Sequence, residues 1–128
     1  MKLLLDTHAL LWFISNDSQL SDSARKNIEN PESEKFVSAA SLWEIAIKLS
    51  LGKVKLPRPF DQVFPQQLEI NGFNLLPISC GHLNRIVSLP FHHRDPFDRL
   101  LIAQATSDEM TILTRDPEFS KYSVKVLW

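Results

Sequence analysis

The strongest constraint on the fold is the alternation of short apolar segments with longer amphipathic ones along the whole chain. Strands are predicted at 2–5, 35–38, 74–78, 111–114 and 124–127. Helices are predicted at 9–14, 21–30, 40–51, 60–70, 79–88 and 96–107. Strands that alternate with helices in this way are typical of a parallel sheet covered by helices on both faces. The sequence therefore predicts a three-layer α/β/α fold with a mainly parallel sheet of about four to five short strands.

Several helix boundaries are marked by residues that start or stop helices. Ser21 is a good N-cap, Gly52 a good C-terminal stop, and the pair Asp95-Pro96 a strong start signal. Pro65 lies inside the predicted helix 60–70 and argues against its continuity.

The totals agree with one folded domain over residues 1–128. Hydrophobic residues make up 44% of the 128-residue chain and charged residues 23%, which are ordinary values for a globular protein. The one cysteine, Cys80, has no disulfide or metal-ligand companion. Asp6 and His8 interrupt the apolar N-terminus before a signal or membrane segment is complete. We therefore expect a cytoplasmic protein without a membrane segment.

The charge balance limits the ways in which the chain could hold nucleic acid. The net charge is -1 at pH 7, so the chain lacks the basic excess that drives non-specific binding to phosphate backbones. Any nucleic acid must be held locally, by divalent cations and a few bases. The candidate bases are Lys48, Lys53, Lys55, Arg58, Arg94, Arg99 and Arg115.

Two aspartates follow predicted strands directly. Asp6 comes after Leu3-Leu4-Leu5, and Asp116 comes just after the strand 111–114. Ligands bind at the carboxyl ends of parallel strands, so the two carboxylates would converge if their strands are neighbours. Each aspartate could equally be a simple cap of the next turn, and Pro117 favours that interpretation for Asp116.

Two further acids lie on predicted helices. Glu44 shares a narrow polar stripe with Ser41 and Lys48 on a helix that is otherwise apolar almost all round. It either pairs with Lys48 on a solvated face or is buried and needs a partner such as a metal ion. Asp95 fits an N-cap, whereas Asp98, in the first turn, lies at the rim of the packing surface and is harder to explain by capping.

The four acids Asp6, Glu44, Asp98 and Asp116 are more simply explained by one shared site than by four unrelated roles. A carboxylate cluster without a histidine or cysteine ligand set favours Mg²⁺ or Mn²⁺ over zinc. We expect neither His92 nor His93 to belong to the site, because adjacent histidines point in different directions and polar loops commonly contain them.

The segments LLLDTHALLW, SLWEIAIK, HHRDPFDRLLIAQA and LTRDPEF, in this order and spacing, resemble the PIN-domain family, specifically the VapC-type toxin nucleases of VapBC toxin-antitoxin pairs. The resemblance covers essentially the whole chain and implies a PIN-like fold. By this resemblance Asp6, Glu44, Asp98 and Asp116 match the four acids of the family, and Thr114 matches the small hydroxyl residue that often precedes the fourth.

The resemblance implies an endoribonuclease that hydrolyses RNA phosphodiester bonds, with Mg²⁺ or Mn²⁺ polarising the phosphate and activating water for in-line attack. Asp6 and Asp98 would be direct metal ligands, and Asp116 and Glu44 would be direct ligands or act through water. The resemblance also implies an antitoxin partner and commonly a homodimer. Trp12, Phe13, Trp43 and Leu51 could line an antitoxin groove, but the alternative for them is plain core, which is favoured for Trp43 because large aromatic residues are usually buried.

Other functions remain open from the sequence. A haloacid dehalogenase-type enzyme needs a second aspartate where this chain has His8, and a receiver domain needs an acidic pair near its first strand. Both are weak. The more serious alternative is a PIN-like binding or repressor subunit that has little nuclease activity and acts through its antitoxin partner.

Overall fold

The computed structural model describes every residue from Met1 to Trp128, and one or more helices separate each strand from the next. The strands are β1 (Lys2–Leu5), β2 (Glu34–Ser38), β3 (Phe73–Leu76), β4 (Thr111–Leu113) and β5 (Val126–Leu127). The α-helices are α1 (Thr7–Ile14), α2 (Asp22–Glu29), α3 (Ala39–Ser50), α4 (Phe60–Val63), α5 (Gln66–Ile70), α6 (Cys80–Val87) and α7 (Pro96–Ser107). A 3-10 helix spans Pro117–Lys121.

The strands form one five-stranded sheet in the order β3-β2-β1-β4-β5, and all neighbouring strands are parallel. β1 is therefore central. It pairs with β4 so that Leu5 lies opposite Leu113, and the carboxyl ends of these two strands meet at the same edge. The prediction of a mainly parallel sheet of four to five strands is confirmed.

Alternation of side chains along the strands divides the core into two layers. Leu5 and Leu113 belong to a buried cluster on one face, which also contains residues of α1 to α5. Leu4 and Ile112 belong to the cluster on the other face, which contains Leu101 and other residues of α7. The predicted three-layer α/β/α arrangement is therefore confirmed.

The predicted helix 60–70 is wrong as a single element, because the chain forms two short helices there. Phe64 between α4 and α5 has extended backbone angles, φ -116° and ψ 134°. Pro65 causes the break, since it disfavours the helical conformation for the residue before it and has no N–H to donate. The last strand is also shorter than predicted, because pairing begins at Val126 rather than Val124.

No helix of the chain has both the length and the apolar character of a membrane span.

Removing bulk from the centre of the sheet should destabilise the fold strongly. Ile112 on β4 is completely buried, whereas Ile70 at the end of α5 is 74% exposed. We expect Ile112→Ala to lower the free energy of unfolding by about 2–5 kcal/mol, because it leaves a cavity between β4 and α7. Ile70→Ala, the same chemical change on the surface, should cost less than about 0.5 kcal/mol. Urea unfolding of the two variants measures the difference, and equal losses would contradict this packing.

Candidate active site

Asp6 is fixed across the two central strands. Its backbone N–H donates to the Leu113 carbonyl at 3.1 Å, which extends the pairing of β1 with β4 by one residue. Its Oδ1 accepts the Ala9 N–H at 2.7 Å and so caps α1, and its Oδ2 accepts the Thr114 hydroxyl at 2.6 Å. The side chain is buried. Asp6 is therefore a helix cap whose two carboxylate oxygens both accept hydrogen bonds from the protein.

Thr114 joins Asp6 to the loop that contains Asp116. The Thr114 hydroxyl donates to Asp6 and accepts the Asp116 N–H at 3.0 Å. Asp116 in turn caps the 3-10 helix, because its Oδ1 accepts the Glu118 N–H at 3.0 Å. The expected convergence of Asp6 and Asp116 thus occurs, and so does the capping that sequence suggested for each.

Asp98 lies in the first turn of α7, a helix that packs on the opposite face of the sheet from α1. Asp95 caps this helix as predicted, because its Oδ1 accepts the Asp98 N–H at 3.0 Å, and Pro96 follows it in the first turn. The Oδ2 of Asp98 lies 3.1 Å from Nε2 of His93. The expectation that His93 stands apart from the acids is therefore wrong. No periodic pattern singles His93 out from His92, although its position just before the helix cap offered a hint.

Glu44 on α3 is only 5% exposed, so it is not on a solvated face. Its Oε1 accepts the Thr7 hydroxyl at 2.7 Å and its Oε2 lies 2.8 Å from Nζ of Lys48. The pair with Lys48 that the spacing suggested does form, but it is largely buried. Glu44 therefore has a counterion of its own and approaches the site through Thr7, the residue after Asp6.

Burial raises the pKa of both Asp6 and Asp98. For Asp6, loss of hydration is the largest cause and the charge of Asp116 adds to it, while hydrogen bonds from Thr114 and Ala9 act in the opposite direction. For Asp98, loss of hydration and then the charge of Asp95 raise the pKa to about 7, the hydrogen bond with His93 lowers it, and Asp116 again raises it. Asp116 is thus close enough to repel both carboxylates.

Asp6 and Asp116 line a cavity of about 310 Å³ together with His8, Trp12, Arg115 and Pro117. The Arg115 guanidinium stacks over the Trp12 ring at 4.5 Å, so one of the predicted bases does lie at the site. No three acidic, histidine or cysteine side chains converge closely enough to form a complete ligand cluster.

Arg99, another of the predicted bases, is not available to a substrate. Its side chain is buried and donates to the carbonyls of Leu89 and Pro90 and to the Tyr122 hydroxyl, at 3.1, 2.6 and 3.1 Å. Arg99 lies on the α7 face that packs against the rest of the protein. The prediction that Arg99 could hold nucleic acid required an exposed side chain, and the packing of α7 buries it.

The raised pKa of Asp98 predicts how stability depends on pH. Between its ordinary value of 3.8 and about 7, the folded protein holds a proton that the unfolded chain releases, so this carboxyl makes stability fall as pH rises through that window. In metal-free buffer, Asp98→Asn should match the wild type in Tm near about pH 4 and exceed it at about pH 8. Thermal unfolding at a series of pH values measures this.

The control for this experiment is Asp61→Asn, which makes the same chemical change on an exposed residue of α4. The difference in Tm between this variant and the wild type should be independent of pH. If the Tm difference between Asp98→Asn and the wild type is also independent of pH, the pKa of Asp98 is not raised in the folded protein.

The family model described as "PIN domain" matches residues 3–125. A comparison with curated protein sequences gives no significant match.

Several solved structures share the fold over nearly their whole length. VapBC2 from Rickettsia felis, bound to a DNA fragment from its promoter, is 17% identical with a TM-score of 0.76 and covers 100% of this chain and 99% of its own. DNA-bound VapBC from Salmonella typhimurium is 17% identical, with a TM-score of 0.71 and coverages of 99% and 97%. FitAcB from Neisseria gonorrhoeae is 18% identical, with a TM-score of 0.69 and coverages of 98% and 96%.

The family match over nearly the whole sequence, on a fold that these structures share, shows that this chain belongs to the PIN-domain family, whose members are generally nucleases.

Proposed function

We propose that this protein is a Mg²⁺- or Mn²⁺-dependent endoribonuclease and the toxin of a type II toxin-antitoxin pair. The observation that carries the proposal is the electrostatic state of the carboxylates at the carboxyl ends of β1 and β4. Asp6 and Asp98 are both deprived of hydration, and Asp116 repels both of them. Two carboxylates that have lost hydration beside a shared like charge form an arrangement that a bound cation stabilises.

The donor chemistry fits a hard divalent cation. All four proposed ligands, Asp6, Glu44, Asp98 and Asp116, offer carboxylate oxygens, which Mg²⁺ and Mn²⁺ prefer. Oδ1 of Asp98 and Oδ2 of Asp116 accept no hydrogen bond from the protein. Mg²⁺ keeps several waters and shares its coordination with substrate phosphates, so it does not need a complete cage of protein ligands.

The four acids have unequal roles in this proposal. Asp6 and Asp98 are the proposed direct ligands, and Asp116 completes the set directly or through water. Glu44 acts directly or through water as well, and its contacts with Thr7 and Lys48 favour the indirect role. Thr114 fixes the orientation of Asp6 by donating to its Oδ2.

When bound, a divalent cation would polarise the scissile phosphate and lower the pKa of a water, so that no protein nucleophile is needed. The chain's own residues would orient the substrate. Arg115 and Trp12 lie at the cavity beside Asp6 and Asp116, and a guanidinium over an aromatic ring can contact both a phosphate and a base. This supplies the local attraction that a chain of net charge -1 otherwise lacks.

The toxin role rests on the kind of assembly in which this fold recurs. The structures that share it include VapBC complexes and a toxin-antitoxin complex from Klebsiella pneumoniae. An antitoxin needs an apolar surface to bind, and Trp43 and Leu51 on and just after α3 are 60% and 61% exposed. The interpretation of Trp43 as a core residue is therefore wrong. Its ring contacts Phe97, next to Asp98, with centroids 5.2 Å apart, so a partner on Trp43 would lie beside the acids.

Loss of either proposed direct ligand should abolish cleavage. We expect Asp6→Asn and Asp98→Asn each to lower the rate of RNA cleavage in Mg²⁺ or Mn²⁺ by more than about 100-fold, since even residues that only support metal ligands commonly cost 10–100-fold. The assay follows a labelled RNA and its DNA counterpart in metal and in EDTA. Circular dichroism checks that the variants remain folded.

Asp61→Asn is the matched control and should cleave RNA at the wild-type rate. Cleavage in EDTA at the wild-type rate would overturn the metal dependence, and preference for DNA would overturn the RNA substrate. A folded wild-type protein that cuts no RNA in either metal would favour the alternative of a binding or repressor subunit without meaningful nuclease activity.

The antitoxin surface can be tested separately from the chemistry. Trp43→Ala should weaken binding of the cognate antitoxin by about 10-fold or more, because tryptophan is among the residues most enriched in binding hot spots. Leu51→Ala should weaken this binding by a smaller factor. Ile70→Ala, which changes an even more exposed apolar residue at the end of α5, should leave binding unchanged. Calorimetric titration measures the affinities, and wild-type binding by both variants would exclude this surface as the contact.

A further inference from the structure

We propose that Tyr122 and His93 form a hydrogen-bonded relay that orients the Asp98 carboxylate, which makes His93 a positioning residue of the carboxylate site. The inference deepens the proposed function and rests on it, because Asp98 is there a metal ligand. The relay connects three parts of the chain: the end of the 3-10 helix, the loop before α7 and the first turn of α7.

The contacts of the relay are short and sheltered. The Tyr122 hydroxyl lies 2.8 Å from Nδ1 of His93, and Nε2 of His93 lies 3.1 Å from Oδ2 of Asp98. Tyr122 is 6% exposed, and the side chains of His93 and Asp98 are 13% and 20% exposed. The imidazole therefore bridges a buried hydroxyl and a carboxylate at the rim of the site.

The hydrogen-bond count around Tyr122 determines which imidazole nitrogen carries the proton. The hydroxyl oxygen accepts from the His93 backbone N–H at 3.2 Å and from Arg99 at 3.1 Å, which occupies both of its lone pairs. Its single hydrogen is left to donate. Nδ1 of His93 at 2.8 Å is a much closer acceptor than the His93 carbonyl at 3.5 Å.

It follows that Nδ1 accepts and that neutral His93 carries its proton on Nε2. Nε2 then donates to Oδ2 of Asp98. With the tautomer reversed, three N–H groups would face the Tyr122 oxygen, and Nε2 would present a lone pair to the carboxylate. The Tyr122 hydroxyl thus determines that the nitrogen of His93 facing Asp98 is a hydrogen-bond donor.

Arg99 anchors the inner end of the relay. It is fixed by the carbonyls of Leu89 and Pro90, and its guanidinium lies 4.0 Å from the centre of the Phe91 ring. Its donation to the Tyr122 hydroxyl makes that hydroxyl a better donor in turn, because successive hydrogen bonds polarise one another. The partners of this buried cation are three neutral oxygens, and one of them is the Tyr122 hydroxyl.

The relay matters for Asp98 because other forces on this carboxylate are repulsive. Asp95 and Asp116 both act on it as like charges. Their repulsion would favour rotation of the Asp98 side chain away from the other site acids. The donor on Nε2 fixes Oδ2, which leaves Oδ1 free of protein hydrogen bonds. Outer-shell hydrogen bonds of this kind commonly change metal affinity by 10–100-fold.

The experiment uses the full-length protein with four variants. His93→Ala removes the donor, His93→Gln keeps an N–H near the position of Nε2, and Tyr122→Phe removes only the hydroxyl. His92→Gln is the matched control, because His92 is exposed and meets Tyr122 only through a T-shaped ring contact, without a hydrogen bond. The readouts are imidazole nitrogen NMR shifts of the metal-free protein at about pH 8.5, where histidine is ordinarily neutral, and Mn²⁺ affinity by electron paramagnetic resonance.

We expect the wild-type His93 to show the Nε2-protonated tautomer and Tyr122→Phe to show a mixture. His93→Ala should raise the Mn²⁺ dissociation constant by about 10–100-fold, His93→Gln should restore part of the loss, and His92→Gln should match wild type. An Nδ1-protonated wild-type His93, or wild-type Mn²⁺ affinity in His93→Ala, would overturn the relay while cleavage and its loss in Asp98→Asn continue to support the proposed function. If wild type binds neither Mn²⁺ nor, by calorimetric titration, Mg²⁺, the proposed metal dependence is refuted, and with it the positioning role.

Discussion

The site depends on the parallel pairing of β1 with β4. This pairing puts Asp6, at the end of a strand whose last three residues are buried, beside Thr114 at the end of the neighbouring strand. Removing a carboxylate from water is costly, and two hydrogen bonds, from Ala9 and Thr114, offset only part of that cost because burial still raises the pKa of Asp6. The pairing of β1 with β4 thus fixes the position of a carboxylate whose charged form is destabilised by burial. The other proposed site acids lie around it.

Capping does not exclude an aspartate of this protein from the proposed site. Asp6, Asp95 and Asp116 each cap a helix with Oδ1, and capping fixes the side chain near the backbone of a rigid element. For Asp116, the second oxygen remains without a protein donor. A cap therefore supplies the precise orientation that a metal ligand needs, and the same preference for aspartate at helix starts serves both purposes.

The sequence predicted what depends on local pattern and on chain order. The alternating elements, the cap at Asp95 and the neighbouring ends that hold Asp6 and Asp116 all follow from short-range preferences and from the rule for parallel sheets. What it missed depends on contacts that span long separations. His93 contacts Tyr122 across 29 residues. Arg99 is buried and Trp43 is exposed, the reverse of what was expected, because α7 turns Arg99 inward while the contact with Phe97 leaves most of Trp43 uncovered. Hydrophobicity along one helix cannot reveal which neighbour lies over it.

Glu44 shows how an acid can support the site while differing from its other members. Its charge is balanced by Lys48 at 2.8 Å, so it does not share the uncompensated state of Asp6 and Asp98. Its other oxygen holds Thr7, the first residue of α1, at 2.7 Å. Since Asp6 caps the same helix from the preceding position, the Glu44–Thr7 contact and the Asp6–Ala9 contact fix the start of α1 from two sides. α3 thus limits how far the Asp6 carboxylate can move, whether or not Glu44 itself reaches a cation.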